Sequence, residues 1–351
     1  MERHLIHRHA TLLDALRRLN KLSGSTMTLF AVDDAGRVCG TLTDGDVRRA
    51  LLAGRTLDSH VEDAARRDFR SLRAPRPDVR TMRECRMAGI ALLPVLREDG
   101  TLERIVDLNL TPTELPLRAL LMAGGKGERL RPMTLTTPKP LLQIGGKAII
   151  DYNVEALAAA GVRDITVSTR YLADAIDEHF AHPVAGVRVR TVRESEPLGT
   201  IGAASLIEWP AEGDTLVMNS DLLTTISFEE MYLHHRDANA DITIAAIPYT
   251  VSVPYAILTT DGTARVTGIE EKPSYSHYAN AGIYIMRNEV LRTVPAATRT
   301  DATDLIERCI ADGGRVTYYP IRGTWIDIGS PTDFRQASEL MRHHQNLSTL
   351  S

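Results

Sequence analysis

Leu120-Leu121-Met122-Ala123-Gly124-Gly125-Lys126-Gly127-Glu128-Arg129-Leu130-Arg131-Pro132 is the stretch from which the fold can be read. An apolar run ends in three glycines within four residues, which predicts a buried strand running into a loop whose backbone approaches a ligand closely. Amide N–H groups freed by the missing side chains suit phosphate oxygens, and Lys126, Arg129 and Arg131 supply charge beside them. A Gly-Gly-x-Gly cluster by itself is equally a tight strand-to-helix turn. Downstream, Pro138-Lys139-Pro140-Leu141-Leu142 sets a lysine between two prolines that fix its backbone.

Beyond this stretch strands and helices alternate. Residues 148–160 read as an amphipathic helix ended by Gly161, 164–169 as a strand, 172–180 as a helix, 187–192 as a strand, 200–207 as a helix and 215–219 as a buried strand. Such alternation predicts an α/β fold with a mostly parallel sheet, helices on both faces and ligands at the carboxyl ends of the strands. Asn219-Ser220-Asp221 closes the last of these strands, where Asp221 is either a turn residue or faces that crevice. Asp327, within Thr324-Trp325-Ile326-Asp327-Ile328-Gly329, is flanked by apolar residues; a burial-prone carboxylate needs a partner, and a metal is one candidate.

The preceding part of the chain reads as two halves of one small α+β unit. Thr11 caps a short helix, residues 27–32 and 38–42 form a hairpin about Asp33-Asp34-Ala35-Gly36, and Thr43-Asp44-Gly45-Asp46 starts a second helix. A looser copy follows, with a helix near 79–87 and strands at 91–96 and 103–106, so the outline repeats after about sixty residues. Thr111-Pro112-Thr113-Glu114-Leu115-Pro116 lacks periodicity and marks the boundary, giving expected domains of 1–113 and 118–351 with a linker at 114–117.

The combination Gly124-Gly125-x-Gly127-x-Arg129-Leu130-x-Pro132 followed by Pro138-Lys139-Pro140 resembles the sugar-1-phosphate nucleotidylyltransferases, from about residue 118 to about 334. The resemblance implies a Rossmann-like domain, with Ala123, Gly124, Gly125, Lys126 and Gly127 around the nucleotide phosphates and Arg129, Lys139 and Lys272 on the reacting groups. It implies Mg²⁺ on Asp221 and Asp327, and a sugar pocket formed by Glu271, Asn280 and Gly282. Glu194 and Glu196, ahead of Pro197-Leu198-Gly199-Thr200, look most like the guanylyl-transferring members, because guanine offers adjacent N1–H and N2–H₂ donors to one carboxylate. Uridine or thymidine nucleotides, and a non-catalytic nucleotide-sensing subunit, are the alternatives. One departure is Glu128, where many members carry threonine or serine. The first unit resembles a tandem pair of CBS domains, which implies a regulatory nucleotide held by Thr43 and Asp46 and association into a homo-oligomer. Thr-Asp-Gly-Asp is equally a helix cap. The second copy reads as having Arg104 where the threonine belongs. The fusion is similar to a bacterial subgroup acting on glucosamine 1-phosphate, with mannose and heptose as other sugars. The chain beyond Phe334 reads as a polar tail from Met341, without an acyltransferase β-helix.

Totals narrow the class. The chain has 351 residues, 43% hydrophobic, with 41 basic against 45 acidic side chains, which predicts two or three domains without the charge footprint of a nucleic-acid or membrane binder. No apolar run approaches the roughly 20 residues of a membrane helix, and the expected location is cytoplasmic. Cys39, Cys85 and Cys309 read as reduced thiols, and the adjacent pairs His234-His235 and His343-His344 as solvated surface.

Overall fold

The computed structural model describes residues 2–348 apart from 25, 76 and 77, with side chains described as far as Arg342. The chain forms two compact units, one holding residues up to Pro116 together with Ala159–Gly161, the other holding the rest. Among the described residues no helix is long and apolar enough to cross a membrane, and all three cysteines are free.

The first unit runs β1 (Leu5–His7), α1 (Leu12–Lys21), β2 (Thr28–Val32), β3 (Val38–Thr43), α2 (Asp44–Leu52), β4 (Leu72–Arg73), α3 (Val79–Met87), β5 (Leu92–Leu96) and β6 (Leu102–Asp107). Each half is a three-stranded sheet of one parallel and one antiparallel pairing, β1-β2-β3 and β4-β5-β6. Thr11 accepts the Asp14 N–H to start α1, whose Leu12, Ala15 and Leu19 are buried at helical spacing. Register corrects one sequence reading. Thr28 faces Thr43 and Leu92 faces Asp107, so the second copy carries Asp107, not Arg104, in place of Thr43, and exposed Leu110 in place of Asp46. Arg104 instead donates two hydrogen bonds to Glu114, at 2.9 and 2.6 Å.

The second unit runs β7 (Leu117–Met122), β8 (Gln143–Ile144), β9 (Lys147–Ala148), α4 (Ile149–Ala159), β10 (Asp164–Thr169), α5 (Ala173–His179), β11 (Val189–Arg193), β12 (Asp214–Asn219), β13 (Leu222–Thr224) and α6 (Phe228–Asp237). It continues with β14 (Ile242–Ser252), β15 (Ile257–Thr260), β16 (Val266–Glu270), β17 (Ser274–Arg287), α7 (Asn288–Leu291), α8 (Ala302–Ala311), β18 (Val316–Pro320), β19 (Trp325–Asp327) and α9 (Pro331–Ser348). A seven-stranded sheet has the order β11-β10-β7-β12-β17-β14-β18. Only the pairings of β17 with β12 and β14 are antiparallel, so the sheet is mixed and mostly parallel. Leu120, Val217, Ile242, Tyr284 and Met286 of its strands join Leu305 and Ile306 of α8 in one buried cluster, the apolar burial that chiefly stabilises the layer.

Three local readings change. The helix expected over 200–207 is a short 3₁₀ run, Gly202–Leu206. Trp209 Nε1–H donates to the Ala204 carbonyl at 2.8 Å, taking the acceptor that a continuing α-helix would use. His235 is buried rather than solvated, because α6 turns it onto the sheet, where it bonds Thr243 Oγ1 at 2.8 Å and approaches Asp214 at 3.6 Å. The chain near Met341 is not a loose tail: α9 continues through it, and Met341 packs against a cluster of Leu130, Ile149, Leu223 and Ile328. The side chains of His343 and His344 lie outside the described residues.

Candidate active site

From β7 the chain steps outward to β10 and β11, then returns to place β12 on the other side of β7. That reversal opens a crevice at the carboxyl ends of the parallel strands. A cavity of about 680 Å³ lies there, floored by Met122 through Gly125, by Ser168 and Arg170 at the end of β10, by Glu194 after β11 and by Asn219 through Asp221 at the end of β12. Lys139 and Pro140 line it too, as do Arg299 and Asp301 from the segment entering α8.

The three glycines of the loop are needed for three different reasons. A Cβ on Gly124 would lie 2.8 Å from Glu194 Oε1, so the missing side chain makes room for that carboxylate. A Cβ on Gly125 would meet nothing within 4 Å, so this residue presents bare backbone to the cavity. Gly127 takes φ +61°, and a Cβ there would sit 2.9 Å from Thr134 Cγ2 and 3.1 Å from Lys139 Cβ. Thr134 Oγ1–H donates to the Gly127 carbonyl at 2.8 Å and holds the turn. Lys126 and Arg129 stand exposed on this loop, and Glu128 pairs with Arg131 at 3.7 Å.

Lys139 projects into the acidic end of the crevice. Its ammonium bonds Asp221 Oδ2 and lies 3.8 Å from Asp327 Oδ1. The two aspartates meet because β13 pairs antiparallel with β19, setting Leu222 opposite Asp327, and the Ile328 N–H donates to the Asp221 carbonyl at 3.1 Å. Ser220 is tied down by its hydroxyl donating to the Met122 carbonyl and by Asn153 donating to its own carbonyl. Burial pushes the Asp327 carboxyl above its usual range, and the Asp221 charge adds to this against the opposing pull of Lys139 and Arg129. Asp221 Oδ1 is buried with no hydrogen-bond partner. Two converging carboxylates, one with an orphaned oxygen, are the donor set that a hard divalent ion takes from protein, leaving its other positions to phosphate and water. Among the described residues no group of three or more His, Cys, Asp or Glu side chains is arranged for a metal.

Of the paired glutamates, Glu194 is buried at the cavity and Glu196 is exposed. Glu194 Oε2 accepts the Leu198 N–H at 3.2 Å, while burial raises its carboxyl above the ordinary 4.5. Gly199, at φ +83°, lines the cavity and packs against the Thr300 carbonyl. Gly282, at φ +70°, lets β17 pass Asn219, whose Nδ2 would be 2.5 Å from a Cβ there, and Asn280 Oδ1 accepts the Gly282 N–H. The residues from Asn280 to Gly282 thus adjoin the crevice through Asn219, at a point where β14 and β17 lose register. Glu271 and Lys272 are exposed after β16 and do not line the cavity. Ser168, Arg170, Arg299 and Asp301 line the crevice without a motif of their own in the sequence. Arg170 and Ser168 follow from the strand-end rule once β10 is known; Arg299 and Asp301 arrive only by tertiary packing, with Asp301 Oδ1 accepting the Thr200 N–H at 2.9 Å.

In the first unit Thr43 and Asp46 form a reciprocal capping box on α2, and Arg49 donates to Asp46 Oδ1 at 2.5 Å. Both residues also line a cavity of about 480 Å³ together with Arg66 and Arg70. Capping and cavity lining coexist at this turn.

The nucleotidyl transferase family matches residues 118–344, and the CBS domain matches residues 4–53. A mannose-1-phosphate guanyltransferase of Yarrowia lipolytica is 34% identical over 226 residues, and one of Neurospora crassa is 33% identical over 227; each match covers 62% of this chain and 62% of the relative. The chain therefore spans less than two thirds of these relatives' length. The crystal structure of HddC from Yersinia pseudotuberculosis superposes with a TM-score of 0.50 at 26% identity, covering 64% of this chain and 98% of that one.

Proposed function

Because the chain belongs to the nucleotidyl transferase family, we propose that it transfers a guanylyl group from GTP to a sugar 1-phosphate, releasing pyrophosphate and forming a nucleotide-activated sugar. A phosphate oxygen of the sugar 1-phosphate attacks the α-phosphorus and the pyrophosphate leaves. The nucleophile is already an anion, so no side chain needs to be activated; the protein's task is to hold two anions in line and neutralise the charge between them. The observation that carries this reading is Lys139 set between Asp221 and Asp327 at the carboxyl ends of the strands, one loop from the bare backbone of Gly125.

Gly124, Gly125 and Gly127 shape the loop for the triphosphate, Lys126 and Arg129 contact its outer phosphates, and Lys139 the reacting ones. The family works with a divalent metal ion, and we infer Mg²⁺ held by Asp221 and Asp327. When bound, the ion stabilises negative charge building on the phosphates. Glu194 reads guanine through its adjacent donors, and the names of the relatives support GTP. Asn280 and Gly282 serve the sugar, with Glu271 assigned to its hydroxyls and Lys272 to its phosphate from the loop after β16.

In the first unit, residues 1–113 act as a tandem CBS pair that binds one regulatory nucleotide at Thr43 and Asp46 and joins copies of the chain. The degenerate second copy, with Leu110 in place of Asp46, favours one site per chain. Pyrophosphate release, measured with Mg²⁺ across four nucleoside triphosphates and the 1-phosphates of mannose, glucosamine and a heptose, tests the whole reading. Turnover with GTP and one sugar is expected. Equal turnover with UTP or dTTP removes the guanine assignment, and none with any pair removes the transferase.

A further inference from the structure

The two carboxylates assigned to a divalent ion already hold a cation of the chain's own. Lys139 Nζ bonds Asp221 Oδ2 and stands 3.8 Å from Asp327 Oδ1, and its side chain is only 12% exposed. The backbone offers it little choice. Pro138 and Pro140 flank it, Pro140 is buried, and the Gly127 turn abuts its Cβ. We infer, on the basis of the metal reading above, that Lys139 is a resident countercation that keeps Asp221 and Asp327 together while the ion is absent and excludes the ion until a triphosphate draws the ammonium away.

Charge and geometry carry the argument. Two carboxylates and one ammonium leave the cluster net negative, so apposing the half-buried aspartates without Lys139 would cost their mutual repulsion as well as partial desolvation. Arg129 contributes from the glycine loop and Asp333 opposes it from α9, both acting on Asp327. Asp221 has one oxygen committed to Lys139 and the other buried without a partner. An ion settling at the free oxygen would therefore face the ammonium across a single carboxylate. A divalent charge opposed by a unit charge at about 4 Å in a water-like dielectric shifts an equilibrium roughly thirtyfold, and tenfold is the least expected after screening by salt. A triphosphate removes the conflict, because its oxygens accept Lys139 and supply further ligands to the ion. Ion and nucleotide thus bind with positive coupling, and the sites stay closed to free divalent metal.

The test is Mn²⁺ binding to the full chain, followed by electron paramagnetic resonance without nucleotide. Wild type, Lys139→Met, Lys139→Gln and Lys139→Arg are compared, each also with Asp221→Asn, after circular dichroism confirms the fold. Lys139→Met is expected to bind Mn²⁺ at least tenfold more tightly than wild type, Lys139→Arg no more tightly, and Asp221→Asn to erase the gain. Lys139→Gln, which keeps a hydrogen bond to Asp221 without the charge, gives the same answer if the methionine variant does not fold. Unchanged or weaker Mn²⁺ binding in the neutral variants overturns the inference, as does a gain that survives Asp221→Asn. Wild type is also titrated with Mn²⁺ and a non-hydrolysable GTP analogue. If no form shows Asp221-dependent Mn²⁺ even then, the metal assignment itself falls; if wild type does and the neutral variants gain nothing, the countercation role alone falls.

Discussion

Replacing Gly127 and Gly125 separately by alanine sets two glycines of one loop against each other. At Gly127 the backbone is left-handed, φ +61° and ψ +37°, which costs a residue with a Cβ about 1–2 kcal/mol. The new methyl also lands 2.9 Å from Thr134 Cγ2 and 3.1 Å from Lys139 Cβ, an overpacking worth about 1–3 kcal/mol. Gly127→Ala should therefore lose about 2–5 kcal/mol, a large part of the roughly 5–15 kcal/mol that holds a typical domain. The clash pushes on Lys139 at the end of the crevice, and misplacing such a group by about 1 Å can lower turnover roughly a hundredfold. Gly125 has open space around it, so Gly125→Ala should keep or slightly raise stability by restricting the unfolded chain. Its methyl projects where phosphate is proposed to lie, so KM for GTP should rise about tenfold with kcat little changed, the signature of lost ground-state binding. Urea unfolding followed by tryptophan fluorescence, with steady-state pyrophosphate release, reads both. Gly127→Ala within about 0.5 kcal/mol of wild type and with normal kcat would refute the packing argument; a clearly destabilised Gly125→Ala would refute the other half.

Asp221→Asn keeps the shape of the crevice but removes the charge that Lys139 and the ion share, so turnover should fall by about a thousandfold or more without a drop in Tm; a rate within tenfold of wild type contradicts the metal assignment. Glu194 is held above its ordinary 4.5 by burial, so its contribution to stability is fully present below the unfolded pKa and is lost as pH rises through the higher folded value. The Tm of Glu194→Gln should accordingly gain on wild type as the pH is raised from acid to neutral, while discrimination for GTP over other triphosphates shrinks; a pH-independent Tm difference sinks this account. Asp46→Ala should cost the first unit about 1 kcal/mol through the lost capping box and remove the calorimetric heat of whichever of AMP, ATP, GDP and GTP binds at this turn, leaving the heat of GTP at the crevice. Undiminished heats would leave Asp46 a cap and nothing more.

The elements that the chain announces locally were legible in the sequence. The apolar run that ends at Met122, the strand of Asp164–Thr169 and helix α3 are set by period, and they form where the pattern places them, the first starting three residues ahead of Leu120. What period could not show is where a distant group intervenes. Residues 200–207 have helical spacing, yet Trp209 and the Thr300 carbonyl claim the backbone, and α-helical bonding gives way to a tighter turn. His235 reads as surface until Thr243 and Asp214 are seen to face it. At the crevice the glycine loop, Lys139 and the two aspartates could be singled out because their neighbours are unusual. Arg299 and Asp301 could not, since an arginine before a helix-capping aspartate is ordinary and only the packing of Gly199 against Thr300 carries them there. The offset between Arg104 and Asp107 shows the same limit within the repeat: alignment by residue type chose one position, and strand register chose another.

The short ladder of β13 with β19 makes the crevice an all-or-none assembly. Asp221 follows the fourth strand of the parallel half, whereas Asp327 waits until the antiparallel ribbon, α8 and β18 have been laid down and the chain has doubled back. A chain docked only as far as Asp221 owns a glycine loop and one carboxylate but only half of the proposed ion site, so incompletely assembled protein is expected to be silent rather than partly active. Once β19 is seated, whatever binds across the two aspartates favours the finished arrangement over every unfinished one, by about 2.7 kcal/mol at a hundred times its dissociation constant. Substrate and ion would in this way act as a clasp on the far end of the chain, and a protease that nicked the segment before β19 would find its target most protected when the enzyme is busiest.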